Sequence, residues 1–187
     1  MTTTEVIARA KINLALAVTG RRADGYHDLR SVFVRVGVAD RLSATVRPDG
    51  GDDDRLTIDG DAALSVTDNL VIRAVALLRD AFGGARPGLQ LRLDKRIPVG
   101  SGMGGGSADA AAALDVAAAT WGIALDADVR DRLAVRLGAD VLFFARGHEA
   151  ALVSGSGDEI RRLPPLPGNP GLLVVIPPFG ITTAAVY

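Results

Sequence analysis

Polar and apolar positions alternate from the start of the chain. Ala8, Ala10, Ile12, Leu14, Leu16 and Val18 fall on one face of an extended segment, and Arg9, Lys11, Asn13 and Thr19 on the other. That period of two predicts a half-buried strand. A turn-rich stretch follows from Gly20 to Gly25, then two further predicted strands over 30–38 and 41–47. Residues 48–54 read as a solvated polar loop, and 55–59 as a short strand. The period then lengthens. Val71, Val75, Leu78 and Phe82 lie at helical spacing, so a helix is expected over about 69–82, capped by Thr67 or Asp68 and stopped by Gly83-Gly84. Residues 88–94 alternate as a strand. An alanine-rich helix is expected from Ser107 or Ala108 to about Gly122, and another between a cap at Asp126 and a stop at Gly138. The apolar runs 141–145, 150–153 and 172–176 read as strands, the last of them buried. Strands first and mixed elements later predict an α+β fold.

Composition narrows the chemistry. With 187 residues, 48% apolar and 23% charged, the chain is of ordinary globular make-up. At this size it can bury roughly 70% of its unfolded surface without cross-links. It has no cysteine, which excludes disulfides, thiolate metal sites and cysteine nucleophiles. His27 and His148 are its only histidines, too few for a multi-histidine metal site. Lys+Arg is 21 and Asp+Glu 22, a net charge of −1, which speaks against a nucleic-acid partner. No apolar run reaches the ~20 residues of a membrane helix, and MTTTEVIARAK has no signal-peptide pattern. The expectation is a cytoplasmic protein with no membrane partner. Lysine is scarce: Lys11 and Lys95 are the only two.

The densest chemical signal is PVGSGMGGGSADAA at 98–111, where five of the seven residues 100–106 are glycine. The loop opens directly into the alanine-rich helix. Glycines let backbone approach a ligand, and a helix start offers unpaired N–H groups and a positive dipole end. A phosphate site is the reading, against a flexible turn that merely caps the helix. A Walker A motif is excluded because the chain has no Gly-Lys pair. Gly100, Gly102 and Gly105 match a dinucleotide GxGxxG, but the preceding LQLRL alternates and KRIPV intervenes, unlike a buried parallel strand. The elements of a protein kinase are absent.

This loop resembles the ATP-binding motif of the GHMP small-molecule kinases. ARAKINLALAVTGRRADGYHDLRSVF and LGADVLFF resemble the opening and the catalytic-aspartate segment of the diphosphocytidyl-methylerythritol kinases within that superfamily, in matching order. The resemblance implies a GHMP-kinase N-terminal domain, with a mixed sheet backed by helices, over 1–165. Residues 166–187 would begin a C-terminal domain whose remainder is absent. The implied reaction is ATP-dependent phosphorylation of the 2-hydroxyl of 4-diphosphocytidyl-2-C-methyl-D-erythritol, in non-mevalonate isoprenoid precursor biosynthesis. ATP and Mg²⁺ are the implied cofactors and a cytidine-diphosphate-linked polyol the partner, with the protein a monomer or homodimer.

By the same resemblance Asp140 is the catalytic base and Lys11 its catalytic partner. Pro98, Gly100, Ser101, Gly102, Gly104, Gly105, Gly106 and Ser107 bind ATP. Asn13, Tyr26, His27, Thr183 and Tyr187 bind substrate, Tyr26 by stacking on the cytosine. Without the resemblance, Asp140 reads as an ordinary turn aspartate, Lys11 as a solvated strand lysine, and Tyr26-His27 as a surface turn. Asp109 would repel a phosphate, so it is expected to face away or to lie near Mg²⁺; no residue is assigned as a metal ligand. Two residues depart from the family pattern, Arg9 and Leu142, each standing where proline is usual. Exposed apolar surface is expected where a second lobe would pack. Another GHMP small-molecule kinase and a non-catalytic nucleotide-binding remnant remain as alternatives.

Overall fold

The computed structural model describes residues 2–21, 27–60, 68–155, 157–168 and 170–176. One mixed sheet forms its spine. Strand β2, His27–Val46, runs unbroken where two strands are predicted. Strand β1, Thr4–Arg21, pairs antiparallel along one edge of it. The other edge is shared. Strand β4, Leu89–Asp94, pairs with Arg41–Val46, and strand β5, Ala150–Gly155, with Leu29–Val34. Strand β3, Arg55–Asp59, joins β4 in parallel, and β6, Glu159–Leu163, extends the sheet beyond β5. The expected α+β mixed sheet is present.

The stretch of β2 between its two partners is what positions the site. Residues 36–39 pair with neither β4 nor β5. Here the Asp40 side chain does the work of a missing strand, its Oδ1 accepting the N–H groups of Arg96 at 2.5 Å and Ile97 at 2.8 Å. The chain leaving β4 is thereby turned across the opening in the sheet.

Four helices cover the sheet. Helix α1, Leu70–Phe82, is capped by Asn69, whose side chain accepts from the Val71 N–H at 3.0 Å. The expected caps are corrected: Thr67 lies outside the described residues, and Asp68 stands one residue too early. Helix α2, Gly105–Trp121, begins two residues before the predicted Ser107. It is buried almost all round from Ala108 to Ala118, which its alanines allow, because a methyl group lets neighbours approach closely. Helix α3, Ala127–Leu137, has the expected Asp126 cap and Gly138 stop.

Helix α4, Ala139–Ala145, replaces the strand predicted over 141–145. Val141 to Ala145 are all buried, and Phe143 meets Phe33 edge-on at 5.3 Å. An element buried on every side shows no period, so a short apolar run cannot distinguish helix from strand.

Two further expectations are corrected. Residues 172–176 form no strand and are exposed, Leu173 to 91%. They pair with no described element, so the apolar run is not matched by burial. The inward face of β1 also ends early. Ala8 and Ala10 are buried, but Leu14, Leu16 and Val18 are 48%, 40% and 46% exposed. Leu14 has no partner on β2 between the pairs Asn13↔Phe33 and Ala15↔Val32. From Asn13 to Thr19 every residue is exposed, so both faces of this end of the strand are open. Exposed apolar surface is therefore present, on β1.

Candidate active site

The glycine loop lies across the opening in the sheet. Met103 is buried with Ala10, Val36 and Ile97 in a small core of its own, which pins the centre of the loop. The Met103 carbonyl accepts the Lys11 backbone N–H at 3.0 Å. That N–H is free for the loop because the pairing slips here: a single β1 residue, Ala10, lies between Arg9↔Ala39 and Lys11↔Arg35. The slip also turns Lys11 inward. Its side chain, expected on the polar face, is buried at 5% exposure.

Three groups compensate the buried Lys11 ammonium. Nζ donates to Asn13 Oδ1 at 2.6 Å, lies 4.5 Å from the Phe33 ring centre and is 3.5 Å from Asp140 Oδ2. Asn13 in turn donates to Ser31 Oγ at 2.9 Å. Asp140 lies in the first turn of α4, where the helix dipole favours a carboxylate. It is partly exposed, so it reaches solvent as well as Lys11. The pair expected from the sequence is brought together, although by a helix and not by a strand edge.

Helix α2 starts beside this pair. Gly104 is its N-cap, with φ 70° and ψ 24°, and no side chain caps the helix. First-turn N–H groups are thus left for a ligand. A Cβ on Gly104 would lie 3.0 Å from the Phe144 ring and 3.2 Å from Lys11 Cε. Gly100 and Gly102 also have positive φ, but their Cβ positions face open space. A pocket of about 180 Å³ opens here, lined by Pro98, the loop from Gly100 to Gly106, Lys95 and Asp109, with Asn69 and Leu70 of α1 at its side. Ser107 follows in the first turn of α2 and is not among the lining residues.

Beneath the loop Lys95 joins Asp109 to Asp40, a contact that no motif in the sequence marks. Lys95 Nζ donates to Asp40 Oδ2 at 2.5 Å and to Asp109 Oδ2 at 2.8 Å, and all three side chains are buried. Burial works against the Lys95 charge, but the two carboxylates outweigh it and raise its pKa. Burial pushes Asp109 up to about 7, with Lys95 pulling the other way. Asp109 does not face away from the pocket; it lines it. Among the described residues no group of three potential metal ligands comes together. The available signal was the chain's second lysine, Lys95, standing three residues before Pro98.

Arg9, where proline is usual, makes a paired contact with Glu149 at 2.8 and 3.0 Å. Leu142 is buried inside α4, and its carbonyl accepts the Arg146 N–H at 3.1 Å. Tyr26, Thr183 and Tyr187 lie outside the described residues. The backbone of His27 opens β2, but its side chain is likewise not described.

Residues 69–148 match the family described as GHMP kinases N terminal domain. Over 181 residues the chain is 45% identical to the 4-diphosphocytidyl-2-C-methyl-D-erythritol kinase of Pelotomaculum thermopropionicum, covering 97% of this chain and 61% of that protein. The Burkholderia mallei protein of the same name is 41% identical over 98% of this chain and 60% of its own length. The chain therefore spans about three-fifths of these relatives. A crystal structure of 4-(cytidine 5'-diphospho)-2C-methyl-D-erythritol kinase superposes with a TM-score of 0.70 at 38% identity, over 86% of this chain and 55% of that one. Mevalonate kinase of Methanococcus jannaschii, at 12% identity and a TM-score of 0.66 over 87% and 56%, shares the fold.

Proposed function

The chain carries the N-terminal domain of the GHMP kinases, and from that premise we propose that it is the ATP-binding and proton-accepting part of a 4-diphosphocytidyl-2-C-methyl-D-erythritol kinase. The observation that carries this is the Lys11–Asp140 pair, 3.5 Å apart beside the glycine cap of α2. Phosphoryl transfer asks little of a protein beyond positioning and charge stabilisation. The uncapped start of α2 and the Gly100–Gly106 loop take the ATP phosphates. Asp140 accepts the proton of the substrate 2-hydroxyl as its oxygen attacks the γ-phosphorus and ADP leaves. Lys11 supplies the positive charge between the carboxylate and the incoming phosphoryl group. Asn13, held by Lys11 and Ser31, fixes the ammonium and offers its exposed side to the polyol. Mg²⁺ would arrive with the nucleotide, held by its phosphates.

Tyr26, His27, Thr183 and Tyr187 are proposed for the cytosine on the strength of sequence alone. So are the boundary near residue 165, just beyond the end of β6 at Leu163, and a cytoplasmic location. The test is a phosphorus NMR assay of the chain with Mg-ATP and the diphosphocytidyl polyol. A new phosphomonoester signal, lost in Asp140→Asn, supports the reading. ATP binding without product would leave a nucleotide-binding unit that is catalytically incomplete, and no ATP binding would refute the reading.

A further inference from the structure

We propose that Asp109 is a further binding residue of the nucleotide pocket, and that its carboxyl group takes up one proton at Oδ1 when a polyphosphate enters the glycine loop. This rests on the reading of that loop as a nucleotide-phosphate site. Asp109 lines the pocket and is only 3% exposed. Its Oδ2 is held by Lys95 at 2.8 Å, whereas Oδ1 is buried and has no hydrogen-bond partner. A buried acceptor left empty beside a ligand pocket is uncommon and costly.

Charge supplies the driving force. One ammonium, Lys95, serves two carboxylates, Asp40 and Asp109. With both ionised the cluster carries a surplus negative charge directly under the loop. The neighbouring elements do not neutralise it. Residues 97–108 contain no ionisable side chain. On the α1 side the pocket meets Asn69 and Leu70. Arg96 turns outward to Asp94, and Lys11, beyond Gly104, is engaged by Asn13 and Asp140. Asp40 Oδ1 also accepts two backbone N–H groups, those of Arg96 and Ile97. Asp109 has no such support, and burial already brings its pKa to about 7. An added polyphosphate acts in the same direction as burial. A buffer acid gives up the proton, its own bond to hydrogen breaking as one O–H bond forms at Oδ1, and its conjugate base stays in solution. Lys95 and Asp40 are then left as a balanced pair.

The experiment is calorimetric titration of the wild-type chain with Mg-ADP in buffers of different ionisation enthalpy, repeated with Asp109→Asn. The expected result is a fractional proton taken up per nucleotide by the wild type and none at this site in the variant. Proton exchange by the nucleotide itself is common to both proteins and cancels in the difference. Wild-type affinity should also weaken, by up to about tenfold per pH unit above pH 7, while the variant stays flat. Carbon-13 NMR of the aspartate carboxyls, with and without Mg-ADP, tests the same point on the wild type alone, where one midpoint should rise. Binding with no buffer dependence, or equal uptake by both proteins, would overturn the coupling and leave the nucleotide site standing. No binding by either protein would overturn both.

Discussion

The Lys11 ammonium stands 3.5 Å from the Asp140 carboxylate because a pairing slip in β1 and the first turn of α4 aim the two side chains at one point. Gly104 closes the third side, near enough that a methyl group there would meet Lys11 Cε at 3.2 Å. A carboxylate, a cation and a helix N-terminus thus share one corner.

Asp140→Asn keeps the size of the side chain and removes its basicity. Phosphoryl transfer is expected to fall by about 10²–10⁴, with nucleotide affinity unchanged. Parallel rate and binding assays check this; a matching loss of affinity would show a structural role instead.

Lys11→Met retains most of the aliphatic stem over Phe33 and loses the charge. Transfer should drop steeply, while unfolding free energy changes by only about 1 kcal/mol, since Asp140 is partly exposed and water replaces its partner. Urea unfolding beside a rate measurement separates the two effects.

The glycines of the loop should differ in tolerance. A Cβ on Gly105 would lie 2.9 Å from Ile97 Cγ2, and one on Gly104 3.0 Å from the Phe144 ring at φ 70°. Gly105→Ala and Gly104→Ala are each expected to cost about 1–3 kcal/mol. Gly100→Ala meets nothing within 4 Å and should cost only the left-handed backbone strain, about 1–2 kcal/mol. Thermal melts that ranked Gly100→Ala as the most damaging would contradict this geometry.

Asp109 links the fold to pH. Its pKa rises on folding from the ordinary carboxylate value of 3.8 to about 7, so the folded state binds more protons between those values. Its contribution therefore lowers stability as pH rises through that window, by at most about 1.4 kcal/mol per unit. Asp109→Asn should flatten the slope, so that the variant gains on the wild type at pH 8 relative to pH 5. Chemical denaturation at both pH values decides it.

The sheet offers a further contrast. Leu42, fully buried in β2, should cost about 2–5 kcal/mol when cut to alanine. Leu16→Ser on the exposed end of β1 should stay within about 0.5 kcal/mol. Equal destabilisation would mean that Leu16 is covered in solution.

The sequence by itself determined whatever rests on local chemistry. The glycine run marked the loop that lines the pocket, because dense glycine before a helix has few other uses. Asp126 and Gly138 marked the ends of α3, because caps act within a few residues. Alternation marked β4 and the inner part of β1. Lys11 and Asp140 could be singled out only by resemblance, since each alone is an ordinary strand lysine or turn aspartate. The tertiary structure decided the rest. It turned Lys11 inward through a slip set by β2, and wound 141–145 into a helix whose burial on all sides erases any period. It left 172–176 exposed, because an apolar run is buried only where another element covers it. It also joined Asp40, Lys95 and Asp109 beneath the loop. These three come from three different elements, and no pattern in one dimension records how closely charges approach when β2, the end of β4 and α2 converge.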